Sequence, residues 1–174
     1  MIAPFSILKG VDETGSVVKS VKYLYRFISL IEESIYPEVM RYVVMQGEID
    51  IGFPTQDVRM MDGPAFHDGS KKMSDLKLFD KVNLYSNKYF FIDTGGRYQD
   101  ILLTNEINLI LSIKYNWKTD DYHIYTQYKQ GEKMKNIGYS LHITEQAVSK
   151  RINQKGIKMI IESVYIFFSS LPLL

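Results

Sequence analysis

Two adjacent glycines, Gly95 and Gly96, divide the chain into halves of different pattern. Before them, short β-branched and aromatic runs alternate with stretches of helical period. After them, every periodic stretch is helical. Paired glycines free the backbone to turn and end a strand, so one sheet is not expected to run through this point. The expected fold is therefore α+β over 1–94, a linking helix over 95–117, and an all-α unit over 118–174.

In the first half, FSILKG and SVVKS flank the turn VDETG and read as two strands. VKYLYRFISLIEESIYP carries apolar residues at 21, 24, 25, 28, 31 and 35, a helix that Pro37 stops. VMRYVVMQGEIDIG reads as a strand and FPTQDVRMMDGP as a loop rich in breakers. AFHDGSKKMSDLKLFDK reads as a helix with Asp62 or Gly63 at its N-cap and Pro64 in its first turn. VNLYS and KYFFIDTGG read as a hairpin about Ser86-Asn87. The order β-β-α-β-α-β-β predicts a mostly antiparallel sheet packed with helices, and no GxGxxG interrupts it.

Of the 174 residues, 45% are hydrophobic and 24% charged, enough apolar mass to offset the entropy of ordering the chain. The absence of cysteine rules out disulfides, thiolate metal sites and a cysteine nucleophile, and it fits a cytoplasmic protein. The first residues lack a charged segment followed by a long apolar core, so no signal peptide is expected. No run of 18 apolar residues predicts a membrane span. His67, His123 and His142 have no ligand spacing, and neither a Ser-His-Asp order nor a GxSxG elbow occurs. No metal, cofactor or catalytic residue is expected on these grounds.

The second half carries the strongest functional pattern. KMKNIGYSLHI (133–143) and TEQAVSKRINQ (144–154) have the form of a helix-turn-helix, in which one helix braces and the next enters the DNA major groove. Ile137, Leu141 and Ile143 can face inward from the first helix and turn, and Ala147, Val148 and Ile152 from the second. Thr144 suits the N-cap of the second helix. Gly138 keeps the two helices close, at about 1 kcal/mol of helix propensity. The expected DNA-binding residues are Thr144, Glu145, Gln146, Ser149, Lys150, Arg151 and Asn153. Gln can pair with adenine, Lys and Arg with guanine or phosphate, and Ser with either. The alternative is a solvated polar face on an ordinary helical hairpin.

Charge supports the first reading modestly. The net charge is +1, divided as −2 through Trp117 and +3 from Lys118 onward. The aromatic cluster at Tyr122, His123 and Tyr125 could stack bases, but at helical spacing it reads as core. The tail IKMIIESVYIFFSSLPLL is apolar on more than one side. It could pack on the linking helix, form a homodimer interface suited to paired half-sites, or touch a membrane surface.

Asp12 and Glu13 sit at the hairpin tip, Glu48 follows Gly47, and Asp62 opens DGPAFH. Convergence of these four on Mg²⁺ and a nucleotide phosphate is one reading, and turn and cap chemistry the other. FSILKGVDETG, the helix ending IYP, MRYVVMQGEIDIG, MMDGPAFH and ITEQAVSKRI together resemble the SatD family of bacterial proteins, from about Phe5 to about Ile152. The resemblance implies a ferredoxin-like N-terminal part, similar to nucleotidyl cyclases, and a C-terminal helix-turn-helix. By that similarity Asp12 would match the carboxylate of the cyclase hairpin. KGVDE has Val11 where the simpler form reads GDE, and the first strand, which supplies another metal-binding Asp in cyclases, has no counterpart here. The expectation is thus a non-catalytic protein with at most a vestigial nucleotide or metal site at Asp12, Glu13, Glu48 and Asp62. It would act as a transcriptional regulator, with double-stranded DNA and a second copy as partners. A nucleotide-binding or interaction module without DNA binding is the alternative.

Overall fold

The computed structural model describes residues 2–9, 12–20, 24–78 and 89–170. The elements run β1 (Ala3–Lys9), β2 (Glu13–Val17), α1 (Leu24–Ile35), β3 (Tyr42–Met45), α2 (Pro64–Leu78), β4 (Phe90–Asp93), α3 (Arg97–Lys114), α4 (Thr119–Lys129), α5 (Met134–Ser140), α6 (Glu145–Gln154) and α7 (Ile157–Ser170). They divide into two compact units. One holds residues 1–34 and 40–108. The other holds Ile35–Val39 and Leu109–Leu174, so the division falls inside α3.

The N-terminal unit is mixed α and β, as its alternating patterns predict. The β1–β2 hairpin is antiparallel, with Ile7 opposite Thr14 and Ala3 opposite Val17. It packs on the single turn Val58–Met60, where Ala3, Val58 and Met61 form a small core bordered by Val17, Ile49 and Phe66. The second sheet departs from the expected antiparallel pattern. β3 and β4 pair in parallel, Tyr42 opposite Phe90 through Met45 opposite Asp93. The reason lies in the connection. α2 runs between the two strands, and a helical crossover allows the second strand to enter in the direction of the first. Each sheet has two strands among the described residues. The expected strand VNLYS, and with it the turn at Ser86-Asn87, lies outside the described residues.

β4 would leave a row of unpaired N–H groups on the side away from β3. α3 covers that row with polar side chains one turn apart. Asn108 Oδ1 accepts from the N–H groups of Tyr89 and Phe90 (2.8 and 3.1 Å), and its Nδ2 donates to the Phe90 carbonyl at 2.7 Å. Thr104 Oγ1 accepts from the Ile92 N–H at 3.4 Å, and Asp100 Oδ2 from the Thr94 N–H at 2.8 Å. All three residues are buried. They stand where a further strand would hydrogen-bond and close the edge of the sheet.

The C-terminal unit is helical, as its periodicity predicts. Its buried residues include Leu111, Trp117, Ile124, Tyr125, Ile137, Val148, Ile152, Ile157 and Ile160. No helix among the described residues is long and apolar enough to cross a membrane.

Candidate nucleic-acid interface

α5 and α6 form the pair expected from the sequence, and α4 packs on both. Thr144 has extended backbone (φ −76°, ψ 155°), and its hydroxyl accepts the Ala147 N–H at 3.2 Å, so the N-cap is present. Glu145 follows in the first turn, where the helix dipole favours a carboxylate. Between the helices, His142 takes a left-handed conformation at φ 56°. The Ile143 N–H donates to the Gly138 carbonyl at 2.9 Å, which draws the turn against α5. A Cβ at Gly138 would lie 2.7 Å from the Ile143 carbonyl oxygen, so no other residue fits without a shift.

Inward, Ile137, Val148 and Ile152 are buried, and Leu141, Ile143 and Ala147 are half-buried. Outward, Thr144, Glu145, Gln146, Lys150 and Asn153 are exposed, and Ser149 is half-buried. Lys150 has no ion-pair partner among the described residues. Arg151 differs from the expectation. Its guanidinium donates to Asp120 Oδ2 at 3.0 Å and lies 3.7 Å from Asp121 Oδ1, so it braces α6 against α4. Lys155 joins from the same side, 3.4 Å from Asp121. The Asp121 side chain is 3% exposed and also accepts the Lys118 N–H at 3.1 Å. The buried carboxylate is thus paired with two cations and a backbone donor rather than left as an isolated charge.

Sequence reading missed Asp120 and Asp121 because they lie some thirty residues before their partners. It also passed over Tyr139, the last aromatic of α5, which is 86% exposed beside the turn. The Tyr122–Tyr125 cluster is settled as core. Both rings are buried, and they pack on Trp117 at centroid distances of 6.3 and 5.1 Å. Tyr36 completes the cluster. Burial pushes its phenol above the usual value, a hydrogen bond with Thr119 works against that rise, and the Asp121 carboxylate adds to it.

The acidic positions of the N-terminal unit have other occupations. Glu13 Oε1 lies 2.6 Å from Lys77 Nζ, and Asp12 Oδ2 lies 3.9 Å from the same nitrogen. Asp62 Oδ1 accepts the Gly63 N–H at 2.8 Å and stands 3.4 Å from His67 Nε2. Glu48 is exposed, and its carbonyl accepts the Ala65 N–H at 3.3 Å. No group of three or more His, Asp or Glu residues is placed to hold a metal ion among the described residues.

The two motifs that carry Glu48 and Asp62 are partners of each other. Asp62 pairs with Ile51 in an antiparallel bridge. Gly63 has φ 149°, and a Cβ there would come within 2.8 Å of both the Glu48 carbonyl and the Asp50 nitrogen. A side chain at Gly47 would meet the Ala65 Cβ at 3.1 Å. GEI and DGPA thus form one close backbone crossing.

Comparison of the chain with the curated proteins and with the solved structures finds no match. A family model does match, over residues 1–165, and it spans both the GEI–DGPA crossing and the α4–α6 helices. The chain belongs to the SatD family.

Proposed function

We propose that the chain binds double-stranded DNA through α6 and acts in the cytoplasm as a transcriptional regulator, two copies meeting paired half-sites. The observation that carries this reading is the pose of α6. It is N-capped by Thr144, held from behind by α4 and α5, and bears Gln146, Lys150 and Asn153 outward. In helix-turn-helix proteins the N-terminal part of the second helix meets the base edges while the first crosses the backbone. Gln and Lys at the second and sixth positions of α6 suit adenine and guanine or phosphate respectively.

The N-terminal unit serves in this proposal as a non-catalytic sensor or pairing module of ferredoxin-like descent. The hold of Lys77 on Asp12 and Glu13 supports a structural use of that hairpin tip. Filter binding to genomic fragments tests the main reading. Retention should fall with salt, and Gln146→Ala with Lys150→Ala should weaken it about tenfold or more. Retention unchanged by that double substitution removes α6 as the reading helix.

A further inference from the structure

The helical unit includes five residues that come from far earlier in the chain. Ile35–Val39, the last residue of α1 and the four after it, belong with Leu109–Leu174. Tyr36 makes the attachment. Its ring stacks on Tyr122 with centroids 3.9 Å apart and planes 9° from parallel. Its hydroxyl donates to the Trp117 carbonyl at 3.2 Å. Trp117 in turn donates its indole N–H to the Lys155 carbonyl at 3.1 Å, and Lys155 is the C-cap residue of α6. Lys155 Nζ then reaches the buried Asp121. Two hydrogen bonds and one stacked ring pair therefore lead from the residue after α1 to the end of α6.

We propose that Ile35–Val39 is a strap that couples the N-terminal unit to the seat of α6. Tyr36 is a positioning residue, acting through Trp117. The strap is covalently continuous with α1, so loosening of α1 loosens Tyr36, and through it the Trp117 platform. α3 also runs through both units, and the strap adds a second route by which the cost of disturbing one appears in the other. The consequence for DNA rests on the reading of α6 given above, but the coupling itself does not.

Trp117 is the only tryptophan of the chain, so its emission reports on the helical unit without a label. Urea unfolding followed by that emission tests the strap in a double-mutant cycle. Ile28→Val removes one methyl from α1 itself, where Ile28 is 2% exposed. With Tyr36 present, Ile28→Val should lower the Trp117 midpoint by about 0.5 M urea. With Tyr36→Ala the same change should lower that midpoint by less than half as much, the remainder passing along α3. Tyr36→Phe keeps the stacked ring and loses the hydrogen bond, and it should transmit part of the shift. If Tyr36→Ala does not fold, Tyr36→Phe carries the test alone. An Ile28→Val shift that is absent with Tyr36 present, or equal in every background, overturns the strap. Loss of the DNA reading would show in filter binding and leave this midpoint pattern unchanged.

Discussion

Gly138 and His142 sit four residues apart and place opposite demands on their side chains. Gly138 lies in a helix, where alanine is favoured by about 1 kcal/mol. Contact outweighs that preference, because the added Cβ meets the Ile143 carbonyl at 2.7 Å. Gly138→Ala should therefore destabilise the helical unit by about 1–2 kcal/mol net. His142 has a side chain where the backbone is left-handed at φ 56°. Such a conformation costs an ordinary residue about 1–2 kcal/mol, part of which glycine returns as entropy of the unfolded chain. His142→Gly should stabilise by about 0.5 kcal/mol. Urea midpoints read at Trp117 check both signs, and like signs for the two would contradict the turn geometry. The size of Gly138 was legible in the sequence, as was the Thr144 cap, because both act within a few residues. The role of Arg151 was not legible. Its type fits DNA as well as it fits a carboxylate, and only the fold brings Asp120 and Asp121 to it.

α3 shows the same limit for a whole element. Its apolar period was plain, and a helix forms where expected. Its polar residues Asp100, Thr104 and Asn108 were open to reading as a solvent face, yet they are buried against β4. Nothing in their spacing distinguishes the two cases, since both place polar residues four apart. The parallel pairing of β3 and β4 was hidden for a related reason, because a strand's pattern records its burial but not its neighbour's direction. The ladder is expected to matter energetically. Asn108→Ala strips the Tyr89 and Phe90 N–H groups and the Phe90 carbonyl of their partner while leaving them covered. Unsatisfied buried groups of this kind cost about 1–3 kcal/mol each; the two Phe90 groups are buried and the Tyr89 N–H part-buried, so a loss of about 3 kcal/mol or more is expected. The uncovered edge should also recruit other chains. Chemical denaturation measures the first effect and light scattering at rising protein concentration the second. A soluble Asn108→Ala variant of unaltered midpoint would show that the edge does not depend on the ladder.

At the scale of the molecule, charge decides how DNA could be held. A net charge of +1 gives little long-range attraction, so any affinity must come from local groups. Internal pairing uses up Arg151, Lys155 and Lys158, the last of them 3.7 Å from Glu162. Lys133, Lys135 and Lys150 have no ion-pair partner among the described residues of the helical unit. Each phosphate neutralised contributes about −0.9 to the slope of log affinity against log salt. If these three lysines of the helix-turn-helix each neutralise one phosphate, the slope is about −3 for one copy and about −5 for two on a paired site. Filter binding across a salt series separates those values and so gives the number of copies on the DNA. Lys135→Ala should reduce the two-copy slope by about 2 without altering sequence preference, because a lysine on the bracing helix meets phosphate rather than bases. Arg151→Ala should leave the slope nearly unchanged and instead lower the urea midpoint, because it exposes Asp121 as a buried charge with one cation fewer. A steeper loss of slope from Arg151→Ala than from Lys150→Ala would mean that Arg151 leaves Asp120 for phosphate when DNA binds, and the brace would then be a feature of the free protein alone.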